Sequence, residues 1–199
     1  MKENNFDWIK GFLTDFSLID GLSKSAFSTK RRLSQMRGIF ADNEAFEKMI
    51  AASDPLVYEF YELGVPENSG DIAFGTSITY PGKVGNEYFM TKGHFHTVLE
   101  TAEVYYTLSG EGGMLLENPE GETNFFTLIA GKAVYVPQRF AHRSINTGKV
   151  PLVSFFAFRG DAGHNYATIE TKGFRKLVTE GIDGKPQITD NQLWNLKIN

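Results

Sequence analysis

Between residues 56 and 158 the apolar positions come in short runs of β-branched and aromatic residues. The runs are Leu56 to Leu63, Ile72 to Tyr80, Glu87 to Thr91, Glu103 to Leu108, Gly113 to Leu116, Phe125 to Ile129, Ala133 to Val136 and Leu152 to Phe158. Turn signals separate them, among them Pro66-Glu67-Asn68-Ser69-Gly70, Pro81-Gly82, Asn118-Pro119-Glu120-Gly121 and Thr147-Gly148. Short strands joined by hairpin-like turns, with no helical period between them, predict an all-β sandwich or barrel. One helix precedes them. Asp42 caps it, Glu44 stands in its first turn, Phe46, Met49 and Ile50 recur at helical spacing, and Pro55 closes it. Residues 1–40 read as an N-terminal arm, in which Phe6, Trp8, Ile9, Phe12 and Leu13 predict a short amphipathic turn or helix. Residues 41–199 read as a single barrel domain with flanking segments, ending in Phe174 to Val178 and a polar stretch with Gly184 and Pro186.

Composition narrows the chemistry. The 199 residues carry 20 Lys+Arg against 24 Asp+Glu, a formal net charge of −4. An acidic chain makes a poor nucleic-acid binder, and the cluster Lys30-Arg31-Arg32 reads as a solvated turn or edge because nothing basic continues it. Cys is absent, which excludes disulfides, Cys-ligated zinc and thiol catalysis. The longest apolar runs, such as Val153 to Phe158, are strand-sized rather than membrane-sized. The start Met1-Lys2-Glu3-Asn4-Asn5 is polar and leads into no signal-like apolar region, so a cytoplasmic protein is expected. Gly110-Glu111-Gly112-Gly113 is no nucleotide loop, since no helix follows it.

The four histidines carry the information: His94, His96, His142 and His164. On a strand, His94 and His96 share one face with Cα atoms about 7 Å apart. A bare His-x-His is more often a surface pair, but its surroundings change that balance. Glu103 opens the next strand and Gly110 follows it. Gly131, Pro137, His142 and Asn146 are then spaced so that a later strand delivers His142. Three imidazoles and one carboxylate can converge inside a small barrel and leave open positions on a divalent ion. Imidazole suits iron, manganese, nickel and zinc alike.

These two segments resemble the paired motifs of the cupin superfamily, whose fold is a double-stranded β-helix or jelly-roll barrel. The gap from His96 to Glu103 is longer than the generic one. Glu100 would satisfy the shorter gap but has Thr107, not glycine, at the matching offset. The longer gap resembles one branch, the cupin-type glucose-6-phosphate isomerases. The resemblance runs from residue 30 to 180 through Arg31-Arg32-Leu33-Ser34-Gln35-Met36, Asp54-Pro55-Leu56-Val57-Tyr58-Glu59, Tyr80-Pro81-Gly82-Lys83-Val84-Gly85, Thr91-Lys92-Gly93-His94-Phe95-His96, Val134-Tyr135-Val136-Pro137 and Asp161-Ala162-Gly163-His164.

The resemblance implies one divalent metal, Fe2+ first, held by His94, His96, Glu103 and His142. It implies a sugar-phosphate substrate, a homodimer, and His164, Tyr105 and Tyr166 facing the sugar. It places the phosphate on Ser77, Thr91 and the Gly93 N–H. Strict alternation sets Thr91 opposite His94, so that placement requires a bulge or bend near Gly93. Arg139 and Phe158 stand where relatives carry Tyr, and Arg139 either serves the phosphate or is a solvated turn residue. Interconversion of glucose 6-phosphate and fructose 6-phosphate is then the expected reaction, by an enediol or a hydride shift. Glu103 is the implied base and His164 the other candidate, with an ordinary pKa near neutrality. A cupin dioxygenase, a sugar epimerase and a non-catalytic sugar-binding barrel are the alternatives.

Overall fold

Strand β2 (Leu56–Glu62) alternates Val57, Glu59 and Tyr61 with Tyr58, Phe60 and Glu62, yet nearly every position on both faces is covered. The reason is its place in the computed structural model, which describes residues 6–63 and 65–196. One face of β2 meets the barrel interior and the other lies under the N-terminal segment. The sheet it belongs to has six strands in the order β1 (Ser28–Arg32), β2, β3 (Ile72–Thr79), β11 (Leu152–Arg159), β6 (Glu103–Ser109) and β9 (Ala133–Val136). All its pairings are antiparallel. A second sheet orders β10 (Ala141–Ile145), β7 (Glu111–Glu117) and β8 (Thr123–Ile129). A third orders β13 (Pro186–Asp190), β12 (Lys176–Glu180), β5 (Glu87–Tyr88) and β4 (Lys83–Val84). Isolated bridges, Met90 to Ile145 and His94 to His142, sew the segment after β5 to β10. The expected mostly-β architecture is therefore what the chain forms.

Helix α1 (Asn43–Ala52) forms as its sequence predicts. The Asp42 carboxylate accepts from the Ala45 N–H at 2.9 Å, and Phe46 is buried against Phe40 and the core beneath the sheets. The basic cluster lies on β1, at the edge of the large sheet.

Three local expectations are revised and one is narrowed. The run Glu87 to Thr91 is not one strand: β5 ends at Tyr88, and the following segment turns to β10, bridges it at Met90 and bends at Gly93 (φ +76°). Of the turn or helix expected for the N-terminal aromatics the chain takes the turn: Phe6, Trp8, Phe12 and Phe16 pack on the outer face of the large sheet, with Phe12 stacked on Phe74. The polar tail contains the hairpin β12–β13. Two short helices, α2 (Ala167–Lys172) and α3 (Gln192–Leu196), also stand where none was expected.

Candidate active site

Alternation on β6 turns Glu103, Tyr105 and Thr107 inward and leaves Val104 and Tyr106 exposed. Glu103 lies across from Val136 on β9 and from Phe158 on β11. Its Oε2 comes within 2.8 Å of His142 Nε2 and 3.2 Å of His96 Nε2. His94 and His142 are tied by reciprocal backbone hydrogen bonds of 3.3 and 3.2 Å. The ligand atoms of His94, His96, Glu103 and His142 all lie within 4.8 Å of one another.

The chemistry of this donor set fits a metal ion. The three Nε2 atoms and Glu103 Oε2 are buried and turned toward one another, with no hydrogen-bond partner outside the cluster. His96 Nδ1 and His142 Nδ1 face the carbonyl oxygens of Gly163 and Phe140, at 3.3 and 3.5 Å. Protonated Nδ1 leaves the Nε2 lone pairs pointing at the common centre. Orphaned buried polar atoms cost about 1–3 kcal/mol each, and a divalent cation satisfies all four at once. Glu100 plays no part, since it is exposed on the turn before Thr101.

The cluster opens into a cleft on the inner face of the large sheet. Ser77, Thr91, Gly93, Tyr105, His164 and Tyr166 line it, together with His94, Glu103 and His142. Of the residues assigned to metal, sugar or phosphate in the sequence, all but His96 and the phosphate candidate Arg139 line one cavity, and His96 meets Glu103 in the ligand cluster. The left-handed Gly93 supplies the bend that brings Thr91 to the same cavity as His94. A Cβ at Gly93 would come within 2.7 Å of the Phe174 ring and 2.9 Å of the His142 carbonyl oxygen, so glycine is required twice over. The Gly93 N–H has no acceptor among the described residues.

Burial opposes ionisation of Glu103, but the surrounding histidines, His142 first, hold it well below the usual carboxylate range. Burial lowers His94 strongly, helped by His142 and His164, and brings His164 down to about 4. His164 is therefore a neutral imidazole rather than a group poised at neutrality. Burial also raises Tyr105 well above its ordinary value and Tyr166 to about 12, so both remain phenol donors.

Arg139 does not reach the cavity. It occupies a turn at φ +70° and pairs with Glu120 at 2.8 Å. Sequence reasoning missed Tyr58, Phe60, Glu62, Lys92 and Phe156, which complete the wall. It also passed over Arg143, buried beneath the site between Met90 and the Lys92 carbonyl oxygen, its guanidinium 4.2 Å over the Phe174 ring. Inward parity on β2 marks three of these residues. Nothing local marks Arg143.

The model of the glucose-6-phosphate isomerase family matches residues 30–194. The glucose-6-phosphate isomerase of Thermococcus litoralis is 49% identical over 176 residues, which cover 88% of this chain and 92% of that one. Its counterpart from Thermococcus gammatolerans is 44% identical over 190 residues, covering 96% and 100%. Among solved structures, an oxalate oxidase aligns with a TM-score of 0.49 at 17% identity, over 61% of this chain and 60% of its own.

Proposed function

This chain belongs to the glucose-6-phosphate isomerase family and is an isomerase of that kind, and on that premise we propose that one divalent ion, held by His94, His96, Glu103 and His142, serves the reaction. The observation that carries this reading is the set of four buried donor atoms, all without partners outside the cluster, at the floor of the cleft. When bound there, a divalent ion polarises a carbonyl or hydroxyl oxygen and helps orient the sugar. Ferrous iron is the first ion to test, followed by manganese, nickel and zinc.

The chain's own residues do the rest. Glu103 takes the C2 proton in an enediol route and is ionised as that role requires, although so low a pKa makes it a weak base. Tyr105 and Tyr166 donate to sugar oxygens. Neutral His164, its ring stacked on Tyr166, orients a sugar hydroxyl without adding charge. Phe60, Phe156 and Phe158 exclude water from the reacting carbons. Conversion in deuterated water tests the enediol route: carbon-bound deuterium in the product marks it. The enzyme is read as a cytoplasmic homodimer. Among the described residues no helix is long and apolar enough to cross a membrane.

We place the substrate phosphate on Ser77, Thr91 and the Gly93 N–H. The Thr91 hydroxyl accepts from the Ser144 N–H at 3.1 Å, leaving its own proton free to donate into the cleft. Lys92, paired with Glu170 at 2.8 Å, supplies the cation for which Arg139 had been the candidate. A neutral hydrogen bond is worth about 1 kcal/mol and a charge-assisted one roughly 1.5–3. Thr91→Val is therefore expected to raise KM for fructose 6-phosphate several-fold with metal content intact, and to leave turnover of unphosphorylated fructose unchanged. Equal losses on both sugars would remove Thr91 from the phosphate site.

The deciding experiment is a coupled assay on fructose 6-phosphate with chelator-treated and metal-restored protein. Loss on treatment and recovery with a divalent ion are expected. Full turnover by metal-free protein would defeat the metal reading.

A further inference from the structure

Three successive rows of inward positions on the large sheet run beneath the cleft. Phe60, Ser77, Ser154 and Thr107 make one. Glu62, Gly75, Phe156 and Tyr105 make the next. Ala73, Phe158 and Glu103 make the third. Residues two apart on a strand are about 7 Å apart, so the middle row lies that distance from each neighbour. The first row carries the proposed phosphate contact and the third carries Glu103. A six-carbon chain reaching from one to the other crosses the middle row with its central hydroxyls.

Within that row Phe156 is apolar and Gly75 has no side chain. Any Cβ at Gly75 would run into the Tyr61 carbonyl oxygen at 1.7 Å, so the gap beside Glu62 is enforced by the backbone. Glu62 lines the cleft, and its carboxylate has no hydrogen bond or ion pair among the described residues. The charge of Glu62 is felt by Tyr105 and Tyr166, so its carboxylate belongs to the same space as theirs. Burial, with Glu103 adding repulsion, raises it to about 7, as befits a group that lacks a partner until a ligand arrives.

We propose that Glu62 is a substrate-specificity residue whose carboxyl group accepts hydrogen bonds from the central hydroxyls of the extended sugar chain. This rests on reading the cleft as the sugar-phosphate site. A carboxylate reads vicinal hydroxyls well, because its two oxygens accept from neighbouring donors at once.

The test uses inhibitors that do not turn over. Glucitol 6-phosphate carries the open-chain hydroxyls without a carbonyl, and inorganic phosphate carries only the charged end. Inhibition constants for both are measured on metal-loaded wild type, Glu62→Leu and Glu62→Gln, with metal content checked in each. Glu62→Leu is expected to weaken glucitol 6-phosphate about ten-fold or more while moving phosphate less than about two-fold. Glu62→Gln, nearly isosteric and still able to accept, is expected to fall between wild type and Leu. If Leu fails to fold, a selective loss in Gln alone supports the assignment. Unchanged affinity for the polyol phosphate, or equal losses toward both probes, overturns it while leaving the site reading intact. Failure of wild type to bind either probe overturns the site reading, and the Glu62 role with it.

Discussion

A His142→Ala variant is expected to lose its metal and its isomerase activity together, each by more than about a hundred-fold. Replacing residues that merely orient ligands typically costs 10–100-fold in metal affinity or activity, and a ligand lies closer to the ion than those. The ion would keep three donors, one of them Glu103. That carboxylate stands 2.8 Å from His142 Nε2 and owes its strong ionisation first to His142. Removing the imidazole therefore weakens a second ligand along with the first. The fold has no reason to collapse, because the bonds that pair residue 142 with His94 are backbone ones. The check is metal analysis, steady-state kinetics and circular dichroism on the same preparation. A metal-free variant with full activity would show that the cluster is not the reaction centre.

Arg143→Ala is expected to be the most destabilising single change beside the site. The guanidinium is buried, stacks on Phe174 and donates to the Lys92 carbonyl oxygen, and the carboxylates of Glu87 and Glu117 lie in its field. Burial brings it down only to about 10, so it is charged at every working pH. Removing one partner of a buried charged group costs about 3–5 kcal/mol. For a chain of 199 residues, at about 2–4 °C per kcal/mol, Tm should fall on the order of 10 °C. Glu117 keeps Arg175 at 2.6 Å, so Glu87 bears most of the loss. Burial already raises Glu87 to about 7, with Arg143 pulling the other way. An acid whose folded pKa is raised loses stability as pH climbs from its unfolded value toward its folded one. Without Arg143 that folded value rises further, so the deficit should be larger at about pH 8 than at about pH 6. Thermal melts at both values test this. A small Tm change, equal at both, would mean that Arg143 is replaceable by solvent.

Legibility differed between parts of the chain for physical reasons. Strand β9 and helix α1 were plain because their patterns are local: an apolar alternation between turns, and an Asp cap before apolar residues at helical spacing. Hairpin β12–β13 was not, since Pro186–Asp190 is exposed at every position and has no apolar face to show. Histidine and carboxylate spacing, with the family resemblance, picked out the four residues that could hold a metal ion, and the demand for a bend near Gly93 was met by its positive φ. Glu62 stayed hidden because polar residues alternate on both faces of β2, and only strand register shows which face meets the cleft. Arg143 stayed hidden for the opposite reason. Its partners Met90, Glu117 and Phe174 are distant in sequence, and an arginine on a barrel strand reads as surface.

The reciprocal bridge between His94 and His142 bears on how this centre would take up the proposed ion. Two of the four donors are fixed to each other by main chain, and a third, His96, is held through its Nδ1 by the Gly163 carbonyl. The sheet therefore assembles the receptacle, and the ion need not gather it. Stripping and reloading become reversible operations on a folded protein, unlike those on domains whose metal is their folding energy. A panel of divalent ions exchanged through one apoprotein batch then compares the ions themselves, with the surrounding protein held constant.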